Sequence, residues 1–204
     1  MATATKRAEV AGPAGRIEAA LDEPDAAPVG VAVLCHPHPV HGGTMDNKVV
    51  QTLARAFVQM GYRAVRFNFR GVGASQGRWD EGQGEVEDAM AVVTAFRDAA
   101  LPLAIGGFSF GGYVASQVAA RLASSGSRAR LVLVGPATST FNVAAAAPNT
   151  LVIHGEADDV VPLQATLDWA RPQHLPVVVL PGVGHFFHGQ LTRLRDLVVQ
   201  AWAQ

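Results

Sequence analysis

The sequence predicts an α/β fold, in which a mostly parallel sheet of eight strands carries helices on both faces. Short apolar runs alternate along the chain with amphipathic segments of helical spacing, which is the pattern of successive strand–helix units. Hydrophobic residues form 49% of the 204 residues and charged residues 16%, so the chain can bury a sizeable core. We expect one domain over residues 1–204, with any ligand beyond the carboxyl ends of the strands.

The elements follow in order from their periodicity and their end signals. Residues 7–10 and 16–21 flank a Gly/Pro turn and predict an N-terminal hairpin. Gly61 ends the first helix, and Pro162 opens the fourth. The six further predicted strands are residues 29–35, 63–69, 103–108, 130–135, 150–154 and 176–180. The predicted helices are residues 47–60, 84–99, 111–124, 162–170 and 189–202.

Charge and cysteine content exclude several classes of protein. The formal net charge is -1, and no basic run is longer than the Lys6–Arg7 pair, so we expect no nucleic-acid partner and no membrane surface. Cys35 is the single cysteine, which rules out an intrachain disulfide or a paired-cysteine site. The N-terminus lacks the apolar core of a secretory signal, and no apolar run is long enough to cross a bilayer. A cytoplasmic monomer or homodimer is the expectation.

The strongest motif is Gly107-Phe108-Ser109-Phe110-Gly111. It follows an apolar strand and opens a helix, which is the context that a G-x-S-x-G nucleophile elbow requires. Such a turn strains the serine backbone and presents its hydroxyl at a helix N-terminus, where developing negative charge is favoured. Ser109 is therefore the candidate nucleophile. A plain glycine-rich turn with a serine cap would explain the serine, but not the acid and base that also occur.

A serine nucleophile needs a base, and this elbow expects the chain order Ser, Asp, His. Of the four histidines after the elbow, His185 lies in a glycine-rich loop directly after the last predicted strand. His188 is the competitor, but we expect it to begin the last helix and to point away from the sheet edge. His154 ends a strand, where we expect a hydrogen-bonded structural role.

The acid should follow the strand that ends at His154. The residues alone leave three carboxylates open: Asp158, Asp159 and Glu156. Asp158 and Asp159 are adjacent, so their side chains point in different directions, and Asp159 can instead cap the helix that begins near Pro162. The acid would fix the imidazole tautomer and stabilise the imidazolium.

Acyl transfer also needs backbone donors for an oxyanion. The N–H of Phe110, the residue after the nucleophile, is the first candidate. The second should come from the loop after the first parallel strand, His36-Pro-His-Pro-Val-His-Gly-Gly43. Pro37 and Pro39 have no N–H and hold the chain extended, so we nominate the N–H of His38.

The three histidines of this loop also raise a zinc hypothesis. The prolines stiffen the loop, and no carboxylate or cysteine is obviously convergent with His36, His38 and His41, so we expect no metal and no cofactor. His36 and His41 more simply form hydrogen bonds within the loop. Cys35 is expected to be a buried small hydrophobe rather than a thiol nucleophile.

At this point the chain resembles the α/β-hydrolase superfamily over nearly its whole length, and within it the small bacterial hydrolases related to dienelactone hydrolases and Xaa-Pro peptidases. The resemblance implies Asp158, four residues after the His-Gly histidine, as the acid, and His185 as the base. The cysteine nucleophile of dienelactone hydrolases is replaced by serine, so that activity is not implied. The segments that carry the resemblance are residues 36–50, 67–75, 107–111, 154–162 and 184–186.

Two positions depart from the superfamily pattern. The usual D-x-R-G-x-G-x-S stretch begins here with Asn68, which we expect to be a structural change. The usual His-Gly oxyanion loop is here His36-Pro37, which leaves the second oxyanion donor less well defined than the triad.

The connection between the strands that end at residue 135 and begin at residue 150 is too short for a lid domain. We expect a shallow, open site contacted by Phe110, Val40, Phe141 and Phe186, with room for small esters of short acyl chains. The leading function is therefore a serine hydrolase acting on carboxylic esters. A peptidase or amidase with the same triad, or a catalytically silent binding protein, is the alternative.

Overall fold

The computed structural model describes residues 5–202. Their eight strands form one sheet. The strand order is β1-β2-β4-β3-β5-β6-β7-β8; β1 is antiparallel to β2 and β2 to β4, and the other neighbours are parallel. The strands are β1 (Thr5–Gly12), β2 (Gly15–Asp22), β3 (Gly30–Cys35), β4 (Tyr62–Phe67), β5 (Leu103–Phe108), β6 (Arg130–Val134), β7 (Leu151–Gly155) and β8 (Val177–Leu180). The helices are α1 (Lys48–Gln59), α2 (Gln83–Phe96), α3 (Phe110–Ser124), α4 (Leu163–Ala170) and α5 (Leu191–Trp202).

The predicted fold class is confirmed, and several element ends differ from the prediction, three of them near the loops discussed below. Strand β4 ends at Phe67 rather than residue 69, because the N–H of Phe69 donates to the His36 ring instead of a neighbouring strand. Helix α2 ends at Phe96, where Arg97 turns extended. Helix α5 begins only at Leu191, so the prediction that His188 opens it is wrong.

The central strands are buried on both faces, and successive side chains supply two separate cores. In β3, the side chains of Val31, Val33 and Cys35 pack with α2 and α3, whereas those of Ala32 and Leu34 pack with α1 and α5. Helices therefore cover both faces of the sheet. Within residues 5–202 no helix is both long and apolar enough to span a membrane.

The connection between β6 and β7, residues 135–150, contains neither a helix nor a strand. This confirms the prediction that no lid domain is inserted between β6 and β7. The loops at the carboxyl ends of the parallel strands are left without a helical cover from this segment.

A buried ion pair joins the N-terminal hairpin to the parallel part of the sheet. The guanidinium of Arg66 donates to Asp22 at 2.7 Å, to Asp46 at 2.8 Å and to the carbonyl of Met45 at 2.9 Å. The side chains of Arg66 and Asp22 are only 6% and 10% exposed. Burying such a pair is costly, but leaving one charge without its partner is costlier.

Asn68, where the superfamily pattern has aspartate, contributes to the same attachment. Its side-chain oxygen accepts the N–H of Met45 at 2.9 Å, and its amide nitrogen donates to Glu18 at 2.8 Å. An amide suits this place because it both donates and accepts. The expectation that this change is structural is confirmed.

We predict that Arg66→Ala lowers the free energy of unfolding by about 3–5 kcal/mol, because it leaves Asp22 buried without its counter-charge. The matched control is Arg63→Ala on the same strand, where the pair with Glu23 is about a third exposed, and the loss should stay below about 1 kcal/mol. Denaturant unfolding of the three proteins measures both values. Equal losses would show that burial does not set the strength of these pairs.

Candidate active site

The three side chains predicted to act together lie in loops at one edge of the sheet. Ser109 follows β5, Asp158 follows β7, and His185 follows β8. These strands belong to the parallel part of the sheet, so their carboxyl ends share one edge. All three residues are buried, with exposed fractions of 8%, 8% and 3%.

The backbone of Ser109 adopts φ 55° and ψ -118°, a left-handed conformation that is strained for a side chain larger than glycine. The flanking glycines explain why the turn can be so tight. A Cβ atom on Gly107 would lie 2.0 Å from the carbonyl oxygen of Gly111, and one on Gly111 would lie 2.2 Å from that of Cys35. The motif therefore needs both glycines because backbone occupies the space of a side chain.

Asp158 and His185 form a buried hydrogen bond. His185 Nδ1 lies 2.7 Å from Asp158 Oδ2, while Asp158 Oδ1 accepts the N–H groups of Val160 at 2.9 Å and Val161 at 2.7 Å. Burial acts to raise the pKa of the Asp158 carboxyl, but the hydrogen bonds from His185, Val161 and Val160 outweigh it and hold the pKa below its usual value. The carboxylate is therefore ionised at neutral pH and accepts the proton of His185 Nδ1.

A second close backbone approach brings these two loops together. A Cβ atom on Gly155 would lie 2.2 Å from the carbonyl oxygen of Val183. That carbonyl accepts the N–H of Ala157 at 3.0 Å, so the loop with the acid is bonded to the loop with the histidine. Gly155 is thus the residue that allows Asp158 and His185 to meet.

The imidazole of His185 lies beside the serine turn. Its ring centroid is 4.9 Å from that of Phe108, the neighbour of Ser109. A Cβ atom on Gly135 would be 3.5 Å from both the His185 ring and Asp158 Oδ2. Within residues 5–202 the hydrogen bond of the His185 ring goes to Asp158 and not to the Ser109 hydroxyl; such bonds often form only when substrate binds.

The other acidic and basic candidates are placed elsewhere. Glu156 accepts the N–H of Gly182 at 2.8 Å, and Asp159 is exposed. Asp159 does not cap α4, because the cap position is Pro162 and no side chain bonds the helix N-terminus there. His188 is exposed and lies in the turn before α5, where Gly189 has a left-handed backbone with φ 72°.

The histidine-rich loop lies against the start of α3. A Cβ atom on Gly111 would be 2.6 Å from the carbonyl oxygen of His36. The loop is closed by a short turn, in which the carbonyl of His38 accepts the N–H groups of His41 and Gly43. Within residues 5–202 neither Phe110 N–H nor His38 N–H donates to a protein acceptor, so both proposed oxyanion donors are unpaired.

His36 is a structural residue, as predicted from the sequence. Its Nε2 accepts the N–H of Phe69 at 3.1 Å, and its Nδ1 donates to the carbonyl of Pro37 at 2.6 Å. Burial lowers the pKa of His36 to about 4. Both ring nitrogens are occupied, and over the described range no three metal-binding side chains are grouped around one point. Cys35 is fully buried, as expected, and burial raises the pKa of its thiol.

The predicted substrate contacts separate into exposed and packed side chains. Val40 is 62% exposed and Phe186 48% exposed. Phe141 is half-buried, with its ring 5.0 Å from that of Phe110. Two residues that the sequence reasoning missed, Trp79 and Tyr113, also pack on Phe110, at 5.1 and 5.8 Å. Trp79 could have been found from its position in the loop after β4, since this loop follows the carboxyl end of a strand, as the site loops do.

Comparison with known proteins identifies the family of this chain. A family model for hydrolases, described as serine aminopeptidase S33, matches residues 37–148, which are more than half of the chain. The chain belongs to this family of α/β hydrolases. An uncharacterized protein of Rickettsia prowazekii (strain Madrid E) is 32% identical over 192 residues, which cover 86% of this chain and 79% of that protein.

Solved structures of other α/β serine hydrolases are similar to this S33 family member. A lidless α/β serine hydrolase from Xanthomonas campestris is 37% identical, with a TM-score of 0.89 over 100% of this chain and 95% of that one. An α/β serine hydrolase homologue from Coxiella burnetii is 39% identical, with a TM-score of 0.84 over 98% of each chain.

In this S33 hydrolase, we predict that Gly155→Ala is destabilising by roughly 1–3 kcal/mol, because the added methyl group would meet the carbonyl of Val183. It should also weaken the hydrogen bond between Asp158 and His185. Thermal unfolding and the downfield proton resonance of His185 Nδ1 measure the two effects. The matched control is Gly184→Ala, whose Cβ would meet only one atom, at 3.6 Å; a loss in the control equal to that of Gly155→Ala would contradict the steric explanation.

We predict that His36 makes the hydrolase less stable in mild acid. Between pH 6.5 and about 4 the unfolded chain binds a proton at His36 that the folded chain does not, so the free energy of unfolding falls as the pH falls through this window. The His36 contribution to that fall is roughly 3 kcal/mol. Denaturant unfolding across the window should show a shallower slope in His36→Gln, whose amide oxygen can still accept from Phe69. Parallel slopes in the two proteins would refute the assignment to His36.

Proposed function

We propose that this chain is a serine hydrolase that cleaves small carboxylic esters through an acyl-enzyme, with Ser109 as nucleophile, His185 as general base and Asp158 as the orienting acid. The observation that carries the proposal is the buried 2.7 Å hydrogen bond from His185 to Asp158 beside the strained backbone of Ser109. This combination prepares one imidazole nitrogen to accept a proton at the place where the serine hydroxyl is presented.

The tautomer of His185 determines the direction of proton transfer. Because Nδ1–H donates to Asp158, the free Nε2 takes the proton when the Ser109 oxygen attacks the ester carbonyl. The same proton is then given to the departing alcohol, and water repeats the steps to release the acid. The unpaired N–H groups of Phe110 and His38 are the donors we assign to the oxyanion.

The surroundings favour a small, uncharged substrate. Val40 and Phe186 offer exposed apolar contacts, and Phe141 belongs to the aromatic group around Phe110. His36 is neutral, and the Asp158 charge is already balanced by hydrogen-bond donors. Segment 135–150 contributes no helical cover, so a long acyl chain would gain little burial from it, although a second copy of the chain could supply a further wall.

A peptidase is the second candidate, because the matching family model is described as a serine aminopeptidase. Binding a free amino terminus requires a carboxylate near the reacting centre. Asp159 is the exposed carboxylate beside Asp158, whereas Glu156 is already bonded to Gly182. Turnover of an aminoacyl p-nitroanilide in preference to a p-nitrophenyl ester would support this alternative over the esterase.

We predict that the protein hydrolyses p-nitrophenyl acetate or butyrate and that Ser109→Ala lowers kcat by at least about 10³-fold, because no other side chain replaces the nucleophile. A fluorophosphonate probe should modify Ser109 and no other residue, as mapped by mass spectrometry. The control is Ser124→Ala, at an exposed position at the end of α3, the helix that follows Ser109, which should keep wild-type activity. Labelling that persists in Ser109→Ala would disprove the assignment, and a chain that neither hydrolyses nor reacts would be a catalytically silent binding protein.

A further inference from the structure

A second histidine lies against the acid of the proposed triad. His154 in β7 is fully buried, and its Nε2 lies 2.9 Å from the carbonyl oxygen of Val161 and 3.4 Å from Asp158 Oδ2. The other ring nitrogen, Nδ1, is also buried and has no hydrogen-bond partner among the described residues. The sequence suggested only a structural role for this residue.

The contacts determine the protonation state of His154. A carbonyl oxygen can only accept, so Nε2 carries the proton that points towards Val161. A second proton on Nδ1 would be a buried donor with no acceptor, and burial lowers the pKa of the ring. His154 is therefore neutral, with its single N–H donated to the carbonyl of Val161 and the nitrogen close to the Asp158 carboxylate.

This arrangement has a cost that an apolar residue would avoid. The neighbours on the strand, Val152 and Ile153, are fully buried apolar side chains, and an apolar side chain at position 154 would leave no orphaned ring nitrogen. What the imidazole adds is an N–H that binds the carbonyl of Val161, on a ring nitrogen 3.4 Å from Asp158 Oδ2. We infer that this N–H is the reason for the polar side chain.

The Asp158 carboxylate is surrounded by the backbone that follows it, by His185 and by His154. Its Oδ1 receives the N–H groups of Val160 and Val161, and its Oδ2 receives His185. Nε2 of His154 lies 3.4 Å from the same Oδ2, and its N–H binds the carbonyl of Val161, so His154 ties the segment after the acid to the strand before it. The carboxylate consequently has one orientation, with Oδ2 towards His185.

We propose that His154 is a positioning residue for the reaction, which acts through Asp158 by fixing the direction of its carboxylate towards His185. This inference rests on the proposed triad. In this role His154 takes no proton from the substrate and contacts no reacting atom. Its effect should appear in kcat more than in KM, because the alignment of the base matters most in the transition state.

Three substitutions of His154 test whether activity depends on the position of the N–H group or only on the presence of a polar side chain. The amide nitrogen of glutamine lies the same number of bonds from Cα as imidazole Nε2, whereas that of asparagine corresponds to Nδ1. His154→Gln should keep kcat within about threefold of wild type. His154→Asn and His154→Phe should lose about tenfold to a hundredfold, as supporting residues around reactive groups typically do, with KM changed less than about twofold.

The second readout is the downfield proton resonance of His185 Nδ1, recorded below the melting temperature of each variant. It should persist in His154→Gln and should broaden or move upfield in His154→Asn and His154→Phe. If His154→Phe does not fold, the comparison of the two amides carries the test. Equal kcat and equal resonances in the asparagine and glutamine variants would overturn the proposal.

The resonance also distinguishes the failure of this inference from the failure of the proposed function. If the wild-type protein hydrolyses no ester, the resonance of His185 still reports whether His154 controls the bond between His185 and Asp158. If the wild-type protein is active, Ser109→Ala is inactive and all three His154 variants keep wild-type kcat and resonance, then the triad stands and the positioning role of His154 is refuted.

Discussion

Close contact between backbone segments, at places where no side chain fits, builds the functional edge of this molecule. A Cβ atom on Gly107, Gly111 or Gly155 would lie 2.0–2.2 Å from a carbonyl oxygen of another segment. The first two glycines set the strained turn of Ser109, and the third joins the loops of Asp158 and His185. The positions of all three proposed catalytic side chains therefore depend on the absence of a side chain at these glycines.

Beneath this edge, three buried histidines have three different environments. His36 bonds the backbone of Pro37 and Phe69 through its two ring nitrogens. His185 bonds Asp158 through one nitrogen and leaves the other free. His154 donates its one N–H to the carbonyl of Val161, with the same nitrogen 3.4 Å from that carboxylate. The partner of each nitrogen, rather than burial alone, decides which imidazole holds structure and which can exchange a proton.

Much of the fold and of the site could be predicted from the sequence, because both rest on local patterns. Apolar alternation located the strands, and the G-x-S-x-G turn located Ser109. The choice of Asp158 over Asp159 came only from the family resemblance, because the direction of adjacent side chains is set by the bonds to Val160 and Val161. The early end of β4 could not be predicted, since it depends on a bond between Phe69 and the distant ring of His36.

The proposed chemistry and the proposed binding would therefore have different physical origins in this lidless hydrolase. The side chains proposed as the triad are buried, and groups held in place before substrate arrives are the condition for electrostatic catalysis without reorganisation. The apolar contacts at Val40 and Phe186 remain about half exposed or more, and a contact that is only partly desolvated recovers only part of the roughly 0.8 kcal/mol that a buried methylene provides. Under the proposed mechanism, selectivity among acyl chains should be weak, while the rate of the chemical step should depend on the alignment of Ser109, His185 and Asp158.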